Sequence, residues 1–202
     1  MKKVLITGGT GFIGSQVVAE LLRKGYEVHS LVYPPFAPEQ PNLVQHEMNL
    51  MDDKAVDAFL AENSFDTLIH LAWYVGSKCQ TSALNIDWLE ASLHLIKSFH
   101  HFGGTTVLIA GSMSEYDFSY GWCREDKTPL NPLSLYGQAK AALYETLKKF
   151  CAFTDLKLKW ARLFNLYGPN DNYHPTHSHV LPALIRRFHE AKVSGATEVT
   201  CW

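Results

Sequence analysis

Long apolar runs are missing from this sequence, and so are blocks of like charge, paired cysteines and low-complexity tracts. The N-terminus, MKKVLITGG, carries two lysines and then an apolar stretch that glycines break at once, too short for a signal peptide or a membrane span. Lys and Arg number 18 against 20 Asp and Glu, giving a net charge of −2 with the signs scattered. No basic stripe is left to neutralise a phosphate backbone, so nucleic acid is a poor partner. The four cysteines, Cys79, Cys123, Cys151 and Cys201, stand far apart without a CxxC pair. That spacing reads as reduced thiols of a cytoplasmic protein rather than a disulfide framework or a zinc site.

What remains is a chain of 202 residues, 47% hydrophobic and 19% charged, which can bury a sizeable core. Short β-branched runs alternate with longer stretches of helical period. Strands are expected at 3–7, 26–32, 42–48, 66–72, 105–110 and 156–164, and helices at 12–25, 52–63, about 84–102 and 135–153. The fold class is therefore α/β, a Rossmann-like doubly wound parallel sheet with helices on both faces. With no repeat or linker in sight, residues 1–202 read as one NAD(P)-binding domain. Ligands of such sheets lie beyond the carboxyl ends of the strands.

At the first of those ends stands TGGTGFIG, where Gly9, Gly11 and Gly14 spell GxGxxG and Gly8 adds a second reading. A tight turn that opens a helix lets a pyrophosphate approach bare backbone at the positive end of the helix dipole. Such a trio is weak evidence alone, but strand before, helix after and place in the chain all agree with dinucleotide binding. The acidic residue that usually meets the ribose hydroxyls is missing: the second strand ends at Val32 and Tyr33, before Pro34 and Pro35. Without that carboxylate nothing repels an additional phosphate, so the reading leans to NADP(H) over NAD(H). Asn49, after the third strand, either hydrogen-bonds the adenine or caps its own loop.

LYGQAK, residues 135–140, sets Tyr136 and Lys140 one helical turn apart on the same face. An ammonium near a phenol favours the phenolate. Bringing a phenol of pKa about 10 down by about three pH units takes about 4 kcal/mol, within reach of a lysine and a charged nicotinamide ring in a partly dry site. The product is a general acid and base usable near neutral pH. By spacing alone, an ordinary helix with a surface lysine and a half-buried tyrosine explains the pair better. Context favours chemistry: GSMSEYDFSYG, residues 111–121, follows the fifth strand, and its Ser112 can share a hydrogen bond with a substrate carbonyl and with Tyr136.

Four landmarks in order, TGGTGFIG, HLAW ending at Trp73, the serine segment with YGQAK, and RLFNLYGP at 162–169, resemble the extended short-chain dehydrogenase/reductases, the sugar-nucleotide epimerase/dehydratase family. The resemblance covers the whole chain. It implies a catalytic triad of Ser112, Tyr136 and Lys140, in which Tyr136 shuttles the proton, Lys140 lowers its pKa and holds the cofactor ribose, and Ser112 orients the carbonyl. It further implies that Gly8, Gly11, Phe12, Ile13, Gly14, Asn49, Leu50, Leu71 and Ala72, with Tyr136 and Lys140, contact the cofactor. Trp73, Ser112, Ser114 and Asn165 are the expected substrate contacts, although for Trp73 core packing explains as much. Glu115 and Glu125 are candidate pocket-lining residues.

Within that family, 4,6-dehydratases carry Asp and Glu just after the catalytic hydroxyl, where this chain has Met113 and Ser114. The epimerase-reductases of fucose precursors place a cysteine where Ser114 stands. What remains needs only the triad. The expected activity is reduction of a 4-keto sugar nucleotide in deoxysugar biosynthesis, with an NAD-dependent 4-epimerase as the alternative. His174, His177 and His179 invite a metal reading, but they lack nearby cysteine, hydride transfer needs no metal, and a loop over the substrate is the better expectation. The resemblance also implies a homodimer through a four-helix bundle containing the Tyr136 helix, and a smaller C-terminal part closing over the sugar. The chain reaches EVTCW, which reads as a strand, before such a part, so a cofactor-binding remnant or sensor is the reading from another class.

Overall fold

The computed structural model describes residues 2–76, 78–169, 171 and 180–199. Two compact units are present, Met1–Phe164 and Asn165–Trp202. The first contains six parallel strands: β1 (Lys3–Thr7), β2 (Glu27–Val32), β3 (Leu43–Glu47), β4 (Thr67–His70), β5 (Thr106–Ser112) and β6 (Lys157–Leu163). Their spatial order is β3-β2-β1-β4-β5-β6, so the winding reverses between β1 and β4. Thr7 at the end of β1 is the Cα partner of Leu31 on one side and of His70 on the other. Ligands of open α/β sheets bind at this reversal.

Side-chain alternation along the strands decides what each face buries. Val4, Ile6, Val28 and Ile69 pack with Val18 of helix α1 (Phe12–Arg23). Leu5, Leu31, Leu68, Val107 and Ile109 turn to the other face and meet α2 (Asp53–Glu62), α3 (Leu84–His101) and α4 (Leu135–Ala152) through Val56, Leu95, Ile96, Phe99 and Leu143. Both faces are covered, as the near-continuous apolar strands require. Each such leucine or isoleucine, fully removed from water, contributes roughly 1.5–3 kcal/mol.

Local signals set the helix ends. Asp52 caps α2 by accepting from Ala55 N at 3.1 Å, and Ser134 caps α4 by accepting from Gly137 N at 3.1 Å. α1 closes where Gly25 N and Tyr26 N bond back to Leu22 O and Leu21 O at 2.9 and 3.1 Å. In the first unit the limits of the six strands and four α-helices agree with the sequence reading to within two residues, including β5, which continues to Ser112 because it pairs with β6 as far as Leu163.

The second unit contributes α5 (Val180–Ser194), braced along its exposed side by Arg186 Nε to Glu190 Oε1 at 2.7 Å. Leu181, Pro182, Ile185 and His189 of α5, with Tyr167 and Asp171, line a groove of about 500 Å³. Glu198 and Val199 lie in no strand, and the rest of the expected terminal strand lies outside the described residues.

Candidate active site

β1 delivers the chain to a turn at the sheet reversal. Gly8 has φ +71°, in the left-handed region that side chains disfavour, and accepts from Gly11 N at 3.1 Å. A Cβ on Gly14 would overlap the Gly8 carbonyl, and one on Gly8 would lie 2.7 Å from Ala72 N. Only bare backbone fits between the turn, α1 and the end of β4. Gly11 is the N-cap of α1, no side chain caps that end, and its first turn holds no acid. The resulting cradle of amides at a helix N-terminus suits the pyrophosphate of a dinucleotide. Phe12 and Ile13, half-buried, open the helix.

A polar chain locks β1 to β4 beside this turn. Ala72 N donates to Thr7 Oγ1 at 3.2 Å, and Thr7 Oγ1 lies 2.7 Å from His70 Nδ1. His70 Nε2 lies 2.9 Å from Ser92 Oγ, which donates onward to Trp88 O at 2.6 Å. Ser92 has thus spent its proton and must accept from Nε2–H, leaving Nδ1 to accept from Thr7. Burial pushes the His70 pKa down to about 3, with the Lys140 charge adding to the effect, so the ring is neutral.

Ser112 ends β5 and caps the 3-10 turn Met113–Glu115, accepting from Ser114 N at 3.1 Å. Its hydroxyl shares a hydrogen bond with Tyr136. Tyr136 lies in the first turn of α4 and gives its backbone N–H to Gln80 O at 3.1 Å. One turn on, Lys140 is buried, donates to Ala110 O at 2.9 Å and places Nζ 3.7 Å from the centre of the Trp73 ring. Tyr136 meets the same ring edge-on, 6.4 Å between centroids. Ser112, Tyr136 and Lys140 therefore stand together beside Trp73, the residue that follows the Ala72 backbone against which Gly8 packs.

The acid–base balance differs from the expected one. Burial raises the Tyr136 pKa above its ordinary value, and Cys79 and Glu115 add to the rise, against a lowering from the Ser112 hydrogen bond. Burial brings Lys140 down to about 7, opposed by the negative charge of Glu115. A lysine half-neutral at neutral pH, and directed at Ala110 O, does not supply the depression of the phenol that spacing led one to expect.

Several supporting groups escaped the sequence reading. Asn85, fully buried at the start of α3, accepts from Trp73 Nε1 at 2.9 Å and donates to Cys79 O and Ser82 O at 2.7 and 2.8 Å. Trp73, 8% exposed, is thus core-packed beneath Lys140. Glu115 was expected to line a pocket, but it has no exposed surface and pairs with Arg162, Nε to Oε2 at 2.7 Å. Polar side chains at strand and helix ends are the one signal that could have found these; their partners are distant in sequence. Glu125 lines a cleft of about 670 Å³ with Tyr144, Lys148, Trp160 and Arg162.

The remaining expected contacts fall as follows. Asn49 accepts from Met51 N at 3.1 Å, a loop-capping bond, and Leu50 beside it is buried. Leu71, Ala72 and Ser114 are half-buried near the sheet reversal and the β5 end. Asn165 belongs to the second unit, where it is exposed. His174, His177 and His179 lie outside the described residues.

A model of the NAD dependent epimerase/dehydratase family matches residues 4–202. The chain is 32% identical over 214 residues to GDP-L-fucose synthase 1 of Arabidopsis thaliana, covering 99% of this chain and 61% of that protein. It is 30% identical to a dTDP-6-deoxy-L-talose 4-dehydrogenase (NAD(+)) of Aggregatibacter actinomycetemcomitans, covering 82% of this chain and 62% of that one. A UDP-glucose 4-epimerase from Thermus thermophilus, solved as a complex with NAD, superimposes with a TM-score of 0.80 at 25% identity, over 94% of this chain and 63% of that one. The chain spans about three fifths of the length of the relatives it matches.

Proposed function

The chain belongs to the NAD dependent epimerase/dehydratase family, and from that premise we propose that it is an NAD(P)-dependent oxidoreductase that reduces a nucleotide-linked 4-keto deoxysugar. The observation that supports this most is the grouping of Ser112, Tyr136 and Lys140 at the end of β5, next to the glycine turn. A relative whose name specifies dehydrogenation at carbon 4 of a dTDP-linked deoxysugar supports the position of the reacting carbon.

The turn and the uncapped start of α1 fit a dinucleotide, which Gly8, Gly11 and Gly14 would hold by their backbone. When bound, the nicotinamide supplies the hydride that the sugar carbonyl carbon takes up. Ser112 orients the carbonyl oxygen, and Tyr136 Oη gives it a proton, so a ketone becomes an alcohol and a phenolate remains to be reprotonated from solvent. The Lys140 ammonium would hold the ribose, and the depression of the phenol would need the charged nicotinamide ring beside it. Ser114 is a hydroxyl too weakly acidic to move protons at ring carbons, which leaves hydride transfer as the chemistry.

Val32 and Tyr33 at the end of β2 offer no carboxylate, which favours NADP(H) over NAD(H). Superposition on a UDP-glucose 4-epimerase supports the second reading, a 4-epimerase that returns the hydride to the opposite face. We place the enzyme in the cytoplasm as a homodimer that pairs through a four-helix bundle containing α4; size-exclusion chromatography with light scattering tests the pairing. The deciding experiment binds NADPH or NADH by nicotinamide fluorescence and then adds a 4-keto sugar nucleotide. Oxidation in proportion to the sugar establishes the reductase and its coenzyme. Conversion between 4-epimers with no net oxidation establishes the epimerase, and binding without either refutes both.

A further inference from the structure

Glu115 is a fully buried carboxylate on which three donors converge. Ser112 N lies 2.6 Å from Oε1, Trp160 Nε1 lies 3.1 Å from each oxygen, and Arg162 Nε lies 2.7 Å from Oε2. The Arg162 guanidinium is itself set over two rings, 4.9 Å from Tyr116 and 4.5 Å from Tyr144. Room for this cluster depends on Gly111, since a Cβ there would stand 2.6 Å from Glu115 Oε1. Glu115 O also accepts from Asn131 N at 3.1 Å, which ties in the strand of loop leading to α4. One side chain thus joins the end of β5, the 3-10 turn and β6. A buried charge persists only when so paired.

We propose that Glu115 is a positioning residue of the reaction: clamped by Trp160 and Arg162, its carboxylate fixes the backbone of Ser112 and sets the charge balance around Tyr136 and Lys140. The inference rests on the reading of those three residues as the reacting set. The groups facing the Tyr136–Lys140 pair are Glu115 from the 3-10 turn, His70 from β4, Cys79 from the loop before α3, and the Trp73 ring. His70 is neutral, and Cys79 raises the pKa of Tyr136 alone, whereas Glu115 bears on both members of the pair. Its charge raises the pKa of both Tyr136 and Lys140.

The sign follows. Reduction needs Tyr136 protonated, so activity is lost as pH rises through its pKa. Removing the Glu115 charge lowers that pKa, and the alkaline loss of activity moves to lower pH. The same substitution makes the Lys140 ammonium easier to deprotonate, which acts in the same direction.

The test compares wild type, Glu115→Gln and the double variant Glu115→Gln with Arg162→Met, in which no unpaired charge is buried. In NADPH oxidation driven by a 4-keto sugar nucleotide, Glu115→Gln should lower kcat by about 10²-fold, the scale for a misplaced reacting group, with KM for the sugar nearly unchanged. Its alkaline limb should lie at lower pH than that of wild type. The double variant should regain thermal stability yet keep the displaced limb, which a merely structural ion pair would not produce. Tyr136 ionisation is also followed directly, by ultraviolet difference titration against Tyr136→Phe, and should occur at lower pH in both variants. A limb and an ionisation both unmoved would overturn the proposal. Should wild type oxidise no cofactor, the proposed activity fails, and the titration alone decides the role of Glu115.

Discussion

Tyr136 gives its backbone N–H to Gln80, its hydroxyl to a shared bond with Ser112 and its ring edge to Trp73, so the phenol is held from three directions. Replacing it with Phe keeps the ring and removes only the acid. Tyr136→Phe should cost roughly 10²–10⁴-fold in turnover, while the lost hydrogen bond lowers stability by about 1 kcal/mol; steady-state assays beside thermal melts check both. Unchanged turnover would refute the phenol as acid. The lysine tests the surroundings. Trp73→Leu removes the ring face beneath Nζ, worth about 2 kcal/mol to a desolvated ammonium, and drives the Lys140 pKa further below the value of about 7 that burial gives it. Activity that needs the ammonium should then be lost at lower pH than in wild type. Trp73→Phe keeps a ring and strands only Asn85 Oδ1, at about 1–3 kcal/mol, so it should lose stability without moving the pH profile. The pairing of Tyr136 with Lys140 was legible because helix geometry is local. That Trp73 lies under the ammonium was not, because the end of β4 brings it there from 67 residues away in sequence.

At the scale of elements, the unit β1–turn–α1 shows how close packing and binding share one constraint. The Gly8 carbonyl fills the space a Cβ on Gly14 would need, so the helix sits against the turn without a side chain between them. Gly14→Ala should force the two apart, costing about 1–3 kcal/mol of stability, and should weaken NADPH binding as the amide cradle opens. Thermal melts and nicotinamide fluorescence titration measure the two effects. Full stability with normal affinity would mean that the turn absorbs a methyl freely and is no fitted cradle. Elements were the most legible scale, because apolar period, Asp52, Ser134 and the glycine closure of α1 all act within a few residues. The exception is the 3-10 turn Met113–Glu115. Its existence depends on Ser112 and Glu115 capping one another, and Glu115 is held there by Trp160 and Arg162 from β6, which no local pattern announces.

For the whole molecule, strand order and side-chain chemistry meet at one histidine. The sheet reverses between β1 and β4, and the chain from Ala72 through Thr7, His70 and Ser92 to Trp88 spans that reversal and anchors it to α3. Parallel order could be anticipated from alternating strands and helices, but neither the neutral tautomer nor its partners could, since they come from three elements. Neutral His70 carries a pH signature. With a folded pKa of about 3 and an unfolded value of about 6.5, the unfolded chain binds the proton that the native one refuses. Stability from this group is therefore complete above pH 6.5 and declines as pH falls toward 3, by up to about 1.4 kcal/mol per pH unit. His46, also lowered by burial, adds in the same direction, so the contribution of His70 is read by difference. Urea midpoints at pH 7, 6 and 5 should fall steeply for wild type and more gently for His70→Gln, which keeps a donor and an acceptor but takes up no proton. Parallel slopes for the two proteins would place the titrating group elsewhere and leave the sheet reversal without a proton-linked lock.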